Sequence, residues 1–204
     1  AQDPSEIGSR VWWGPGKHLV TYLVQGGLTL NCVAVVENKS WAFESWHEPG
    51  DLDELIQEFS DWNEDAVEII RAISNDDLFK WGLFSRTPLK TWSKDRAILM
   101  GDACHAPLPF MAQGAAMAIE DSFVIASKIS KFPKLSFAFN EFQRERFPRV
   151  QRIISASAKN ARTFHLSNVI SRLVLHFFLR LLTKFLPHLL VKRFDWIYDH
   201  NVTN

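Results

Sequence analysis

Apolar and polar positions change period several times along this chain, and each change marks an element. From His18 to Val24 and from Leu28 to Val36 they alternate with a period of two, which predicts a pair of strands. Gly26 and Gly27 between them predict a two-residue hairpin turn with positive φ. That register sets Leu19, Thr21 and Leu23 on one face with Leu30, Cys32, Ala34 and Val36. His18, Val20 and Tyr22 fall on the other, with Thr29, Asn31, Val33 and Val35. The first face predicts core. The second carries hydrogen-bonding groups that face solvent or a cavity. Residues 1–17 read as loop, punctuated by Gly14-Pro15-Gly16.

After Asp51 the period lengthens, and LDELIQEF and DAVEIIRAI predict two short helices with solvated acidic faces, separated near Asp61-Trp62-Asn63. Leu78 to Trp92 returns to strands, with Arg86-Thr87-Pro88-Leu89 as the turn. The short apolar run Ala97-Ile98-Leu99-Met100 predicts a buried strand ending at Gly101. A loop with Pro107 and Pro109 follows, since neither proline fits a helix interior or a central strand. From Gln113 onward Ala115, Ala118, Ile119, Ser122, Val124, Ile125, Ala126 and Ile129 predict a helix packed by small residues.

Ser136 to Phe164 predicts one long helix with Pro148 inside it, whose Arg144, Arg146, Arg149, Arg152 and Arg162 form a solvated, salt-bridged face. In the last stretch Arg172, His176, Arg180, Lys184, His188 and Lys192 recur every fourth residue among Leu, Val and Phe, interrupted at Pro187. Such a basic amphipathic helix either lies on an anionic membrane surface or covers an apolar surface of the protein. Packing is the favoured reading, with a membrane surface through residues 168–192 as the lesser one.

Composition narrows the class. The chain has 204 residues, 47% of them hydrophobic, with 16 Phe and 8 Trp, enough for a sizeable core. Lys plus Arg equal Asp plus Glu at 23 each, so no nucleic-acid partner is expected. The halves differ: residues 1–100 carry 9 basic and 16 acidic side chains, and residues 101–204 carry 14 and 7. Cys32 and Cys104 make no disulfide framework and no metal is expected, which makes a reducing compartment the default. Ala1-Gln2-Asp3-Pro4 lacks the features of a secretory signal, and no charge-free run reaches the roughly 20 residues that span a bilayer. A cytoplasmic location, with peripheral membrane association as the alternative, is the expectation.

The candidate chemistry lies in the strand, loop and helix from Arg96 to Ile129. A helix start there leaves backbone N–H groups and a positive dipole end in the loop. Gly114 and Ala115 carry almost no side chain, so a flat group can approach the backbone. Asp102, at the end of the strand, is placed to accept hydrogen bonds from ligand hydroxyls; as a turn or cap residue it has an ordinary structural role instead.

The string GDACHAPLPFMAQGAAMAIED resembles the second FAD-binding motif of the aromatic-ring flavoprotein hydroxylases, the group containing salicylate hydroxylase and 3-hydroxybenzoate 6-hydroxylase. The resemblance implies that Gly101 and Asp102 bind FAD, Asp102 at its ribityl chain, and that Ala112, Gln113, Gly114 and Ala115 lie against the pyrimidine edge of the flavin. Pro109 and Phe110 would border the substrate, as would Asn31. Many members have Gly where this chain has Met111. WWGPGKHLVTYLVQGG resembles the segment whose His and Tyr, four residues apart, line the aromatic pocket, which implies catalytic roles for His18 and Tyr22. The R-x-P-L…W…GD run and the closing FDWIYDHNV extend the likeness.

Members of that family begin with a strand, a G-x-G-x-x-G turn and a helix that hold the ADP part of FAD. The nine glycines of this chain include no such spacing, and the family's Asp-Gly motif is absent too. The expected architecture is therefore α+β: part of an antiparallel substrate-domain sheet over residues 1–92, the second half of an FAD-binding α/β domain over 93–165, and C-terminal helices over 166–204. The resemblance implies the C-terminal portion of an FAD-dependent monooxygenase that uses NADH or NADPH and O2 to hydroxylate a small phenol-like substrate, with a missing N-terminal half as partner. A non-catalytic relative, acting as an interaction or membrane-surface protein, is the rival.

Overall fold

The computed structural model describes residues 8–38, 48–84 and 87–203. The chain divides into two compact units, residues 1–83 with 164–167, and residues 84–163 with 168–204. Both mix small antiparallel sheets with helices, so the architecture is α+β.

In the first unit, β1 (Arg10–Gly14), β2 (Lys17–Val24) and β3 (Thr29–Val36) form an antiparallel sheet in that order. The stretch expected to be loop thus contains a strand, folded back by the two-residue turn at Pro15-Gly16, where Gly16 has φ +68°. The faces of β2 and β3 are those that the alternation predicts: Leu19 opposes Ala34, Thr21 opposes Cys32 and Tyr22 opposes Asn31. Their connection is longer than Gly26-Gly27 alone, because Gln25 also takes a positive φ and Val24 pairs with Thr29.

The apolar face packs on two helices. Asp51 caps α1 (Leu52–Glu58) by accepting from the N–H groups of Asp53 and Glu54 at 2.9 and 3.1 Å, and Asn63 caps α2 (Glu64–Arg71) by accepting from Asp65 N–H. Leu19, Phe59, Ala66 and Ile70 are fully buried together, flanked by Trp12, Cys32, Ala34 and Trp62. Burying Leu19, Phe59 and Ile70 contributes about 1.5–3 kcal/mol each. A short pair, β4 (Glu48–Pro49) with β5 (Phe79–Lys80), is what forms of the strands expected from Leu78. Arg86, in the expected turn, lies outside the described residues.

In the second unit, the expected buried strand is shorter and more exposed. Only β7 (Ala97–Ile98) is in a ladder, antiparallel to β6 (Ser93–Lys94), and Leu99 is 42% exposed. An apolar run becomes a buried strand only where neighbours complete its hydrogen bonds, and the described residues supply a single hairpin partner. Beyond Gly101 the loop contains one helical turn, α3 (Asp102–His105), and a 3-10 turn at Pro109–Met111.

Helices α4 (Gly114–Lys131) and α5 (Leu135–Phe164) carry the core of this unit. α5 runs through Pro148. Trp92, Met117, Val124, Phe142, Val150 and Ile153 are buried in one cluster. The buried face of α4 differs from the expected one: Met117, Asp121, Val124 and Ile125 are inside, while Ala115, Ile119, Ser122, Ala126 and Ile129 are exposed. An aspartate lies on the inner face because Arg146 of α5 is buried with it, so the long helix does not present all its arginines to solvent. Then come α6 (Val169–Phe185), capped by Asn168 accepting from Ser171 N–H, α7 (Pro187–Lys192) and α8 (Asp195–Tyr198). Contrary to the packing expectation for the basic tail, α6 contains no buried residue.

Candidate functional site

Two groups of polar side chains stand out, one in each unit. In the second unit the glycine-aspartate loop is fixed from below by Asp121. Its Oδ2 accepts from Gly101 N–H at 3.0 Å and lies 2.6 Å from His105 Nε2, while Oδ1 accepts from Arg146 Nε at 2.7 Å. Burial alone would raise the Asp121 pKa, yet the hydrogen bonds from His105, Arg146 and Gly101 outweigh it and hold the carboxyl below its ordinary value. An ionised Asp121 accepts from His105 Nε2–H, and the buried Nδ1 of the same ring has no hydrogen-bond partner among the described residues.

Gly101 makes this turn with φ 55° and ψ −141°, a conformation that side-chain-bearing residues rarely adopt, and a Cβ there would come within 3.3 Å of Ala118. Further along, Ser157 Oγ–H donates to Leu108 O at 2.6 Å and Asn160 Nδ2–H donates to Phe110 O at 3.2 Å. The loop is therefore held at its start by α4 and at its far end by α5.

What this frame leaves open is the surface. Asp102 is exposed, and its Oδ1 is 3.9 Å from where a Cβ on Gly114 would be. Gln113, preceding α4, offers no side-chain cap, so the first N–H groups of the helix remain available beside that carboxylate. Ala112 is exposed in the left-handed conformation with φ 51°, Ala115 is exposed, Gly114 is half-buried and Gln113 is buried. Pro109 is exposed and Phe110 half-buried. An acceptor for hydroxyls next to helix-start backbone donors that Gln113 does not cap, with small residues between, suits a polyol chain attached to a flat ring bearing carbonyl oxygens.

Cys104, His105 and Asp121 are also close enough to hold a metal ion. Their chemistry argues for structure instead: Asp121 is already bonded to three donors, and burial, then the Asp121 charge, pushes the Cys104 thiol up to about 12.

In the first unit His18 and Tyr22 share a face of β2 as expected, but not an environment. His18 is 2% exposed and Tyr22 39%, with half-buried Asn31 opposite Tyr22 on β3. His18 Nδ1 lies 2.6 Å from His165 Nε2, and His165 Nδ1 lies 2.8 Å from Glu37 Oε1. With Glu37 ionised, His165 donates to it and accepts from His18 Nδ1–H, so Nε2 is the acceptor of the His18 ring. The edge of Phe164, itself stacked on Trp13, packs against His18. Burial first, and the His165 charge second, lower the His18 pKa to about 4.

A histidine that stays neutral when folded but protonates near 6.5 when unfolded binds more protons in the unfolded state between those values. Stability of this unit is thus expected to fall as pH drops from about 6.5 to 4, by on the order of 2–3 kcal/mol. Thermal melts followed by tryptophan fluorescence at pH 7 and 4.5 check it, and His18→Gln should flatten the difference. An unchanged slope in that variant would assign the acid sensitivity elsewhere.

Asp121, Arg146, Ser157, Asn160, Glu37 and His165 escape a reading of the sequence. An acidic pair, Glu120-Asp121, inside an otherwise small and apolar helix was an available signal for the first two. His165 is 147 residues from His18, and no spacing links them.

The profile of the family described as FAD binding domain matches residues 44–157. The 6-hydroxynicotinate 3-monooxygenase of Pseudomonas fluorescens is 38% identical over 148 residues, which cover 70% of this chain and 38% of that protein. The 3-hydroxybenzoate 6-hydroxylase of Polaromonas naphthalenivorans is 32% identical over 203 residues, covering 95% and 47%. A solved salicylate hydroxylase substrate complex shares the fold with a TM-score of 0.74 at 21% identity, over 96% of this chain and 47% of that one. The chain spans less than half the length of these relatives.

Proposed function

The chain belongs to the FAD binding domain family, and from that premise we propose that it is the flavin-ring and substrate-side portion of an FAD-dependent monooxygenase acting on a small aromatic or heteroaromatic ring. NADH or NADPH would serve as reductant and O2 as oxidant. The observation that carries this reading is the exposed Asp102 beside the uncapped start of α4, on a loop locked by Asp121. Asp102 would accept hydrogen bonds from ribityl hydroxyls. The N–H groups of Gly114 and Ala115 would donate to the pyrimidine edge of the ring, where the helix dipole favours negative charge. When bound, FAD supplies the redox and oxygen chemistry.

The rest falls to side chains. By the family resemblance Pro109 and Phe110 would border the substrate, and Tyr22 and Asn31 would orient it. His18, buried and with its tautomer set by His165 and Glu37, would act on a ring hydroxyl of the substrate. With a pKa near 4 it acts as a hydrogen-bond acceptor that draws on the hydroxyl proton, and not as a strong base.

The test uses an active enzyme formed with the complementary N-terminal portion. His18→Ala is expected to lower hydroxylation about 100-fold, the low end of what a positioned acid-base group contributes. Tyr22→Phe should raise KM more than it lowers kcat, and bound FAD should be unchanged in both. Flavin loss from either folded variant would move those residues to the cofactor, and full activity in His18→Ala would remove it from the reaction.

A further inference from the structure

α6 leaves a continuous apolar face uncovered. Ile170, Val174, Phe177, Phe178, Leu181 and Phe185 are 37–72% exposed, and at 100° per residue they fall within an arc of about 100°. The partly covered positions of the same helix, Arg172, Leu175, Leu179 and Leu182, lie on the opposite side. His176, Arg180 and Lys184 form a basic edge along one flank of the apolar arc, and α7 continues the composition with exposed Leu189, Val191 and Lys192.

Charge decides what this face meets. No Asp or Glu occurs between Glu145 and Asp195, while residues 166–194 contain five Lys or Arg and two His. A protein surface that closes over an apolar face has no need for a segment purged of acids; an anionic lipid surface rewards one, each Lys or Arg near it favouring association roughly fivefold. No single helix among the described residues is long and apolar enough to cross a membrane, so contact would be along the surface.

We propose that α6 and α7 form an interfacial anchor, with the Ile170–Phe185 face buried among the acyl chains of an anionic phospholipid monolayer and Arg180, Lys184 and Lys192 at its headgroups. The anchor would place an enzyme of the kind proposed above beside substrates that partition into membranes, and it stands on the α6 surface independently of that reading.

The full chain is tested by flotation with vesicles of phosphatidylcholine alone or with 30% phosphatidylserine as the probe. At low salt the anionic vesicles are expected to bind at least tenfold more protein, with most of the gain lost in 0.5 M NaCl. Phe177→Ser with Phe178→Ser should abolish binding, and Arg180→Gln with Lys184→Gln should abolish the preference for anionic lipid. These positions are exposed, so circular dichroism should show an unchanged fold. Equal, salt-insensitive binding to both vesicles would mean plain apolar adsorption and overturn the proposal. Failure to bind either, with dimerisation lost in Phe177→Ser, would overturn it in favour of a second copy on the same face.

Discussion

Arg146→Met is expected to destabilise the second unit by about 3–5 kcal/mol, the cost of leaving one charge of a buried pair without its partner. Arg146 and Asp121 are 1% and 0% exposed, and the guanidinium joins Asp121 Oδ1 at 2.7 Å to Glu120 Oε2 at 2.6 Å. Without it Asp121 retains only Gly101 N–H and His105, while its desolvation remains. A domain of ordinary stability, about 5–15 kcal/mol, loses a large share. Arg146→Lys should recover little, because one ammonium cannot replace a fork that reaches two carboxylates. The comparison is Arg144→Met, whose guanidinium, paired with Glu141, is mostly in solvent, an ion pair worth about 0–1 kcal/mol. Urea midpoints of the three variants decide it. Equal midpoints for Arg146→Met and Arg144→Met would show that the buried pair does not hold the unit together.

The same pair sets an acid limit. Asp121 has a folded pKa below its unfolded one, so its contribution is present above the ordinary carboxylate range and is lost as pH falls below that range, down through the lowered folded value. Because Asp121 also fixes Gly101, weakening it loosens the loop that carries Asp102. Stability and the candidate site are coupled through one carboxylate.

How far the residues foretold this varies with the range of the interaction. The faces of β2 and β3 follow from a period of two, which is a local property, and both came out with the predicted members. α1, α2, α4 and α5 were legible for the same reason. The inner face of α4 was not, because small residues pack equally well inward or outward, and a buried Asp121 makes sense only once Arg146, 25 residues on, is known to meet it. The strand at Ala97 was overread since burial of a strand depends on neighbours. The site divides likewise. Asp102, Gly114 and Ala115 belong to one continuous motif and can be proposed together from the sequence, whereas the chain from His18 through His165 to Glu37 joins residues far apart in sequence.

The 204-residue chain alone is expected to purify colourless and to bind FAD weakly, and to hold it stoichiometrically once the complementary N-terminal portion is supplied. Asp102 and the start of α4 offer partners for the ribityl chain and the ring, but no three of the nine glycines have the spacing that lets a backbone turn cradle the pyrophosphate. Forgoing even two or three charge-assisted hydrogen bonds, at about 1.5–3 kcal/mol each, weakens binding by several powers of ten. Flavin fluorescence quenching titrates the isolated chain, and absorbance near 450 nm after co-purification counts flavin in the complemented one. Asp102→Ala should lower flavin retention there while leaving the urea midpoint nearly unchanged, since its side chain is exposed. A yellow isolated chain with one tight FAD would require a nucleotide site elsewhere within these 204 residues. A complemented enzyme that keeps its flavin in Asp102→Ala would instead leave the nucleotide argument standing and remove Asp102 from the cofactor.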